Sequence, residues 1–396
     1  APEPEDAAQA ALKDAEQAYS ARRQYVESAR AELSPTLGIP SNWSFDKVFE
    51  EWSKGRYEII GEFMERYLAE GGVAPPTAVA DLARAIESRN QVNSFIAQFH
   101  PHLHGTEGVL RNLERFLRAS EDLKWASLAM RNRLYFHHYD LDASYFELHF
   151  TFDRGRGNLV RALATRAVFE ARAGECEQAL DTFGALAEFA AQVGEEPYVR
   201  NISSRCRVEE AADYALSIVL ESCEFDDSTL ERIESLFDRR RDPTALYAKI
   251  KEDAALYKVR EDFFSGVEES LDPISRGMIS LAERGFSDGI DEAADKYISL
   301  VEQPYHDSRA AIEDLYEDPD YGHMVSHFLR TANDAVRDHL RSALMADAMR
   351  VVVALKRHKK TTGTYPDELE TLVPDELDAV PIDMATGEPV KYAVVD

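Results

Sequence analysis

Apolar positions recur at helical spacing along most of the chain. Leu12, Ala15, Tyr19, Val26, Ala29 and Leu33 mark a first helix, predicted to stop before Pro35, with a Pro/Gly/Ser loop after it. The segment 44–72 reads as one or two amphipathic helices ended by Gly71 and Gly72, and the next opens near Pro76. Thr106 and Ser120 are placed to cap the two helices that follow, the second running on to Tyr139. Ala143 to Phe152 is short and aromatic, compatible with strand or helix, and "DRGRGN" (153–158) reads as a break. Further helices are expected over 158–222 and 226–242, from Asp242 onward, at 287–302 and 305–317, and from about Tyr321 to Lys359. Around Met349 to Leu355 the last helix is apolar on nearly every side, which predicts burial on most faces.

The pattern changes after residue 360. Gly363 is placed to end the long helix in a left-handed cap, and Tyr365-Pro366 leads into a short helix at "DELETL". Val380 and Ile382, a turn at "MATGE", and alternating Val390, Tyr392 and Val394 predict a small hairpin. The fold class is therefore all-α: stacked antiparallel helix pairs in a TPR-like α-solenoid, with a small C-terminal β-hairpin tail. Three regions are expected: 1–155, 156–360 and 361–396. The clearest repeat lies within 158–222, where helix, Gly174 turn and helix, with Ala179, Phe183 and Leu186, resemble one tetratricopeptide-type unit of about 34 residues. Such arrays present a broad concave face.

Charge narrows the partners. The 396 residues carry 73 acidic and 45 basic side chains, a formal charge of -28, which repels phosphate backbones and anionic membranes. No nucleic-acid partner is expected. No apolar run approaches the ~20 residues of a membrane span. The chain begins "APEPEDAAQ", the kind of end that signal-peptide removal leaves, so export to the periplasm, cell surface or medium is expected. Cys176, Cys206 and Cys223 lack C-x-x-C spacing; they are compatible with one disulfide plus a free thiol, or with three buried thiols.

Candidate chemistry is sparse. His100, His102 and His104 alternate in "HPHLHG"; in an extended segment they would face one way, as a metal site needs, although Pro101 and Gly105 favour a polar loop. His323 and His327 sit at i and i+4, a spacing that holds Zn²⁺, but Met324 stands where H-E-x-x-H has its Glu. "HHYD" (137–140) suits a helix C-terminus, and "GRGN" (155–158) ahead of a helix can receive an anion. Trp43, Phe45, Phe49 and Trp52 at helical spacing read as core. No catalytic residues and no cofactor are predicted.

One further feature lies in the tail. Gly363, Tyr365, Pro366, Leu369, Leu372, Val373, then Val380, Pro381 and Asp383, then Gly387, Pro389 and Tyr392 form a G-x-Y-P-x-x-L-x-x-L-V … V-P-x-D … G-x-P-x-x-Y pattern. It resembles the C-terminal region of the major pseudopilin of type II secretion, and the tails of exported bacterial helical-repeat proteins. The pseudopilin's membrane-inserted N-terminal helix has no counterpart here. The resemblance implies an exported protein and a Ca²⁺ ligand at Asp383. The expected function is an exported, non-enzymatic helical-repeat scaffold or protein-interaction module, in an envelope or extracellular assembly and working through a protein partner or self-assembly. The alternatives are a metal-binding protein or metal-dependent enzyme using the histidines, and a small-ligand binding protein using the concave helical face.

Overall fold

A computed structural model describes residues 4–88, 94–136, 151–196, 198–238, 240, 243–259, 287–318, 323–384 and 386–393. The described chain is mostly helical, with one small antiparallel sheet near the C-terminus. The helices are α1 (Pro4–Leu37), α2 (Phe45–Trp52), α3 (Gly55–Ala69), α4 (Pro76–Ser88), α5 (Ser94–Ala97), α6 (Pro101–Ala119), α7 (Glu121–Arg131), α8 (Thr151–Arg172), α9 (Cys176–Gly194), α10 (Arg200–Ser222), α11 (Asp227–Asp238), α12 (Thr244–Val259), α13 (Ser287–Val301), α14 (Tyr305–Glu317) and α15 (His323–Thr362). No described helix is long and apolar enough to cross a membrane.

Several boundaries follow local chemistry. The Ser120 Oγ accepts from Leu123 N at 3.3 Å and caps α7 as expected. Gly174 (φ 82°) makes the tight α8–α9 turn, and Gly363 (φ 86°) ends α15; both take a left-handed backbone that a Cβ would oppose. Other expectations are corrected. Helix α1 does not stop before Pro35 but carries it inside its last turn, where few downstream bonds remain to be lost. Helix α7 ends at Arg131, well short of Tyr139; Leu134 N already turns back to Ala129 O at 2.8 Å. "HHYD" and most of 143–152 lie outside the described residues, apart from Thr151 and Phe152, which open α8.

"DRGRGN" does not break the chain. It lies inside α8, and its small residues let neighbours approach closely. A Cβ on Gly155 would lie 1.9 Å from the Phe49 carbonyl oxygen, so α2 crosses α8 at backbone distance. Asn158 donates from Nδ2 to Trp52 O at 2.9 Å and fixes that crossing. The cost of glycine in a helix, about 1 kcal/mol each, is offset by this contact. The boundary expected at 155/156 thus falls within α8, whose core partners lie on both sides of it.

The largest apolar cluster surrounds α8. Trp43, Phe45, Phe49 and Trp52 are all buried in it, as their spacing predicts, and Phe45 packs edge-on against Tyr135 with ring centroids 5.1 Å apart. A second cluster joins α10 and α12 to α13, α14 and the first half of α15. The third is small: Val351 and Ala354 of α15 under Leu369, Leu372 and Leu377 of the tail. Within that tail Leu369–Leu372 is a 3₁₀ turn, where a short helix was expected. The hairpin pairs Ile382 with Pro389 and Asp383 with Glu388. Cys176 and Cys223 form a disulfide with Cα atoms 5.9 Å apart, tying the start of α9 to the end of α10, and Cys206 is a buried free thiol.

Candidate functional site: a cationic cleft on α3, α8 and α10

Because α8 is locked against α2 by Gly155 and Asn158, its neighbouring arginines are set at fixed heights. Arg154 and Arg161, two turns apart, share one face. Facing them, α10 presents Ser204, Arg207, Val208, Ala211 and Tyr214, and α3 presents Glu65, Leu68 and Ala69. Together they enclose an open cleft of about 670 Å³. Its floor is apolar, from Leu68, Val160, Val208 and Ala211.

The charges on its walls are unequal. Arg154, Arg156, Arg161 and Arg207 line the cleft against Glu65 and Glu210. Arg154 reaches Glu58 at 3.0 Å and Arg161 reaches Glu65 at 2.6 Å. Arg156 is buried; its Nη2 donates to Tyr135 Oη at 2.7 Å, and Nη1 lies 3.5 Å from Glu196 Oε2. Glu210 is held by Arg341 at 2.5 Å and accepts from Tyr214 Oη at 3.3 Å. Arg207 is exposed and makes no ion pair with the described residues. In a chain of charge -28 this is a local surplus of cations over an apolar floor. Such a lining recognises an anion that carries apolar groups.

Behind the cleft, buried carboxylates tie α10 to Arg240, just past α11, and to α15. Arg240 donates to Asp213 Oδ2 at 2.7 Å and lies 3.6 Å from Glu209, which also accepts from Ser342 Oγ at 2.5 Å. Burial pushes the Asp213 carboxyl up to about 6, against the pull of Arg240. Burial likewise pushes the Cys206 thiol up to about 12, which leaves it a poor nucleophile.

The histidines are arranged differently from the extended picture. Pro101 to His104 form a helical turn at the start of α6, before a kink at Gly105 (φ 63°). The "HPHLHG" stretch is therefore neither an extended segment nor an open loop, because Pro101 at the first helical position pre-sets the turn. His100 caps it, its Nδ1 accepting from His102 N at 3.3 Å, and His102 Nε2 lies 3.5 Å from Glu87. His102 and His104 are exposed. His323 and His327 open α15 one turn apart, with His327 exposed. Asp383 sits on β1, where its carbonyl accepts from Gly387 N at 2.7 Å and its side chain lines a second cleft. No group of three or more His, Cys, Asp or Glu among the described residues is placed to hold Zn²⁺ or Ca²⁺. "GRGN" is mid-helix, so its amides are not a helix N-terminus for an anion; the neighbouring arginine side chains face the cleft instead.

Sequence reasoning missed Arg154, Arg161 and Arg207. The available signal was the seven-residue spacing of Arg154 and Arg161, which becomes a shared face only once "DRGRGN" is read as helix.

Fold and site together define an all-helical protein with a cationic, part-apolar cleft. No family model matches the chain, and no curated protein or solved structure matches it.

Proposed function

We propose that this chain is an exported, non-enzymatic helical-repeat module that binds an acidic, apolar-bearing segment of a protein partner in the α3–α8–α10 cleft. The observation that carries the reading is the gathering of four arginines on one cleft of a chain of charge -28. An acidic protein repels acidic partners over most of its surface, so a confined cationic cleft gives both attraction and orientation. The mutual packing of the consecutive helices α8, α9 and α10 in one apolar cluster supports the TPR-like, solenoid reading of 156–360. The Cys176–Cys223 disulfide supports an oxidising compartment, in keeping with export and with the pseudopilin-like tail.

The test is fluorescence anisotropy with a labelled peptide of alternating glutamates and leucines. The peptide is expected to bind saturably at low salt and to weaken as salt rises. Arg207→Glu, at an exposed position, is expected to weaken binding at least tenfold, about 1.4 kcal/mol, without altering the helical circular dichroism. A peptide that does not bind at low salt, or binds equally to the reversed-charge variant, overturns the proposal.

A further inference from the structure

The hairpin does more than cover apolar surface. Its turn is pressed onto α14: a Cβ on Gly387 would lie 2.9 Å from the His306 ring. Between hairpin, α14 and α15 the chain leaves a second cleft of about 460 Å³, within the range of small-ligand sites. Its apolar walls include Ile312, Leu340 and Leu344, with the Tyr305 and Tyr316 rings and Met384 of the hairpin.

The polar groups there differ in how they are engaged. Arg309 is bound to Glu313 at 3.0 Å and Arg341 to Glu210 at 2.5 Å. Arg337 is exposed and has no ion pair among the described residues. The Tyr316 hydroxyl is buried and makes no hydrogen bond there. A buried hydroxyl without a partner is costly, and an acceptor brought by a ligand would recover that cost. Arg337 is close enough for its charge to act on that same hydroxyl. The lining also holds Asp383, which disfavours a second negative charge.

We propose that this cleft binds a small monocarboxylate with a flat apolar body, its carboxylate on Arg337 and the Tyr316 hydroxyl, its body between the tyrosine rings and Met384. A guanidinium and a hydroxyl donor together suit a carboxylate. Tyrosine rings and a thioether suit a flat, polarisable body. The tail is then one wall of a binding site, separate from the cationic cleft.

The probe is 2-naphthoate, titrated calorimetrically into the full chain, with 2-naphthylmethanol as the uncharged counterpart. One-to-one saturation is expected, with the alcohol at least tenfold weaker. Arg337→Gln should weaken naphthoate at least tenfold and leave the alcohol unchanged. Tyr316→Phe should weaken naphthoate severalfold while melting no lower than the parent, because no hydrogen bond is lost. Arg207→Glu should bind naphthoate as the parent does, so failure of the first cleft is read separately. Absence of saturation, undiminished binding to Arg337→Gln, or loss in Arg207→Glu overturns the proposal.

Discussion

Helices α8 and α15 are both long, and both bury surfaces on several sides, but their cover differs. Around α8 the covering elements are helices, drawn close by Gly155 against the Phe49 backbone and by Asn158 against Trp52 O. Helix α15 passes through three environments in turn. Val325 to Val336 lie in the second cluster, Ala346, Met349 and Val353 touch the first, and Val351 and Ala354 face only the tail. The tail holds that face with Leu369, Leu372 and Leu377, on a backbone with one 3₁₀ turn and two two-residue strands. Cover by helices brings a continuous hydrogen-bonded framework, whereas this tail brings only the local backbone bonds of one 3₁₀ turn and a short hairpin. The α8 region is therefore built to hold a fixed cleft, and the end of α15 is built with a wall of lower intrinsic stability.

The sharpest way to break the first region is through its covalent tie. Cys176 and Cys223 are 47 residues apart, and in the chain-entropy model a loop of that size contributes about 4 kcal/mol. The Cys176→Ser/Cys223→Ser protein is expected to lose about that much in urea unfolding, with α8 and α10 signals melting together. An unchanged midpoint would mean the bridge adds nothing to the helix framework. The corresponding break in the second region is Leu372→Ala. Leu372 is fully buried on α15, so the lost side chain and the cavity together cost about 3 kcal/mol. Hydrogen exchange should then speed up at Met345 to Leu355 and stay slow along α8. Equal acceleration in both helices would abolish the distinction between them.

How much of this is legible in the sequence depends on whether local chemistry decides. Turns and one cap do: Ser120, Gly174 and Gly363 act as their types require, whereas Thr106, expected as a cap, lies inside α6 behind His100. The helices at 287–302 and 305–317 are found within a residue of their bounds, because Pro304 separates two strongly periodic stretches. The burial of the apolar stretch Val351 to Leu355 follows from the pattern as well. What misleads is tertiary override. Gly155 and Gly157 signal a break by propensity, but the close passage of α2 outweighs that signal, and with it the cleft arginines go unseen. The pairing of two cysteines is likewise fixed by the meeting of α9 and α10, which spacing alone leaves open. The histidines err the other way: alternation in sequence means one face only in extended chain, and Pro101 makes that chain helical.

The remaining expected effect concerns a buried charge on α10, next to both regions. Asp213 of α10 is fully buried, with Oδ2 on Arg240 and no hydrogen bond to Oδ1 among the described residues. Its carboxyl is raised to about 6 in the folded chain, chiefly by burial, against about 3.9 unfolded. Between those values the folded state binds the proton and the unfolded state does not. Stability from this group is thus present at low pH and is lost as pH rises from about 4 through about 6, the reverse of an ordinary paired carboxylate. The loss is on the order of 3 kcal/mol. Asp213→Asn, which keeps the shape and cannot ionise, should flatten that limb of a urea-midpoint profile between pH 4 and 6.5. If the profile of Asp213→Asn still falls as steeply as the parent's, Asp213 stays ionised in the folded chain, and α10 is joined to Arg240, just past α11, by a full ion pair.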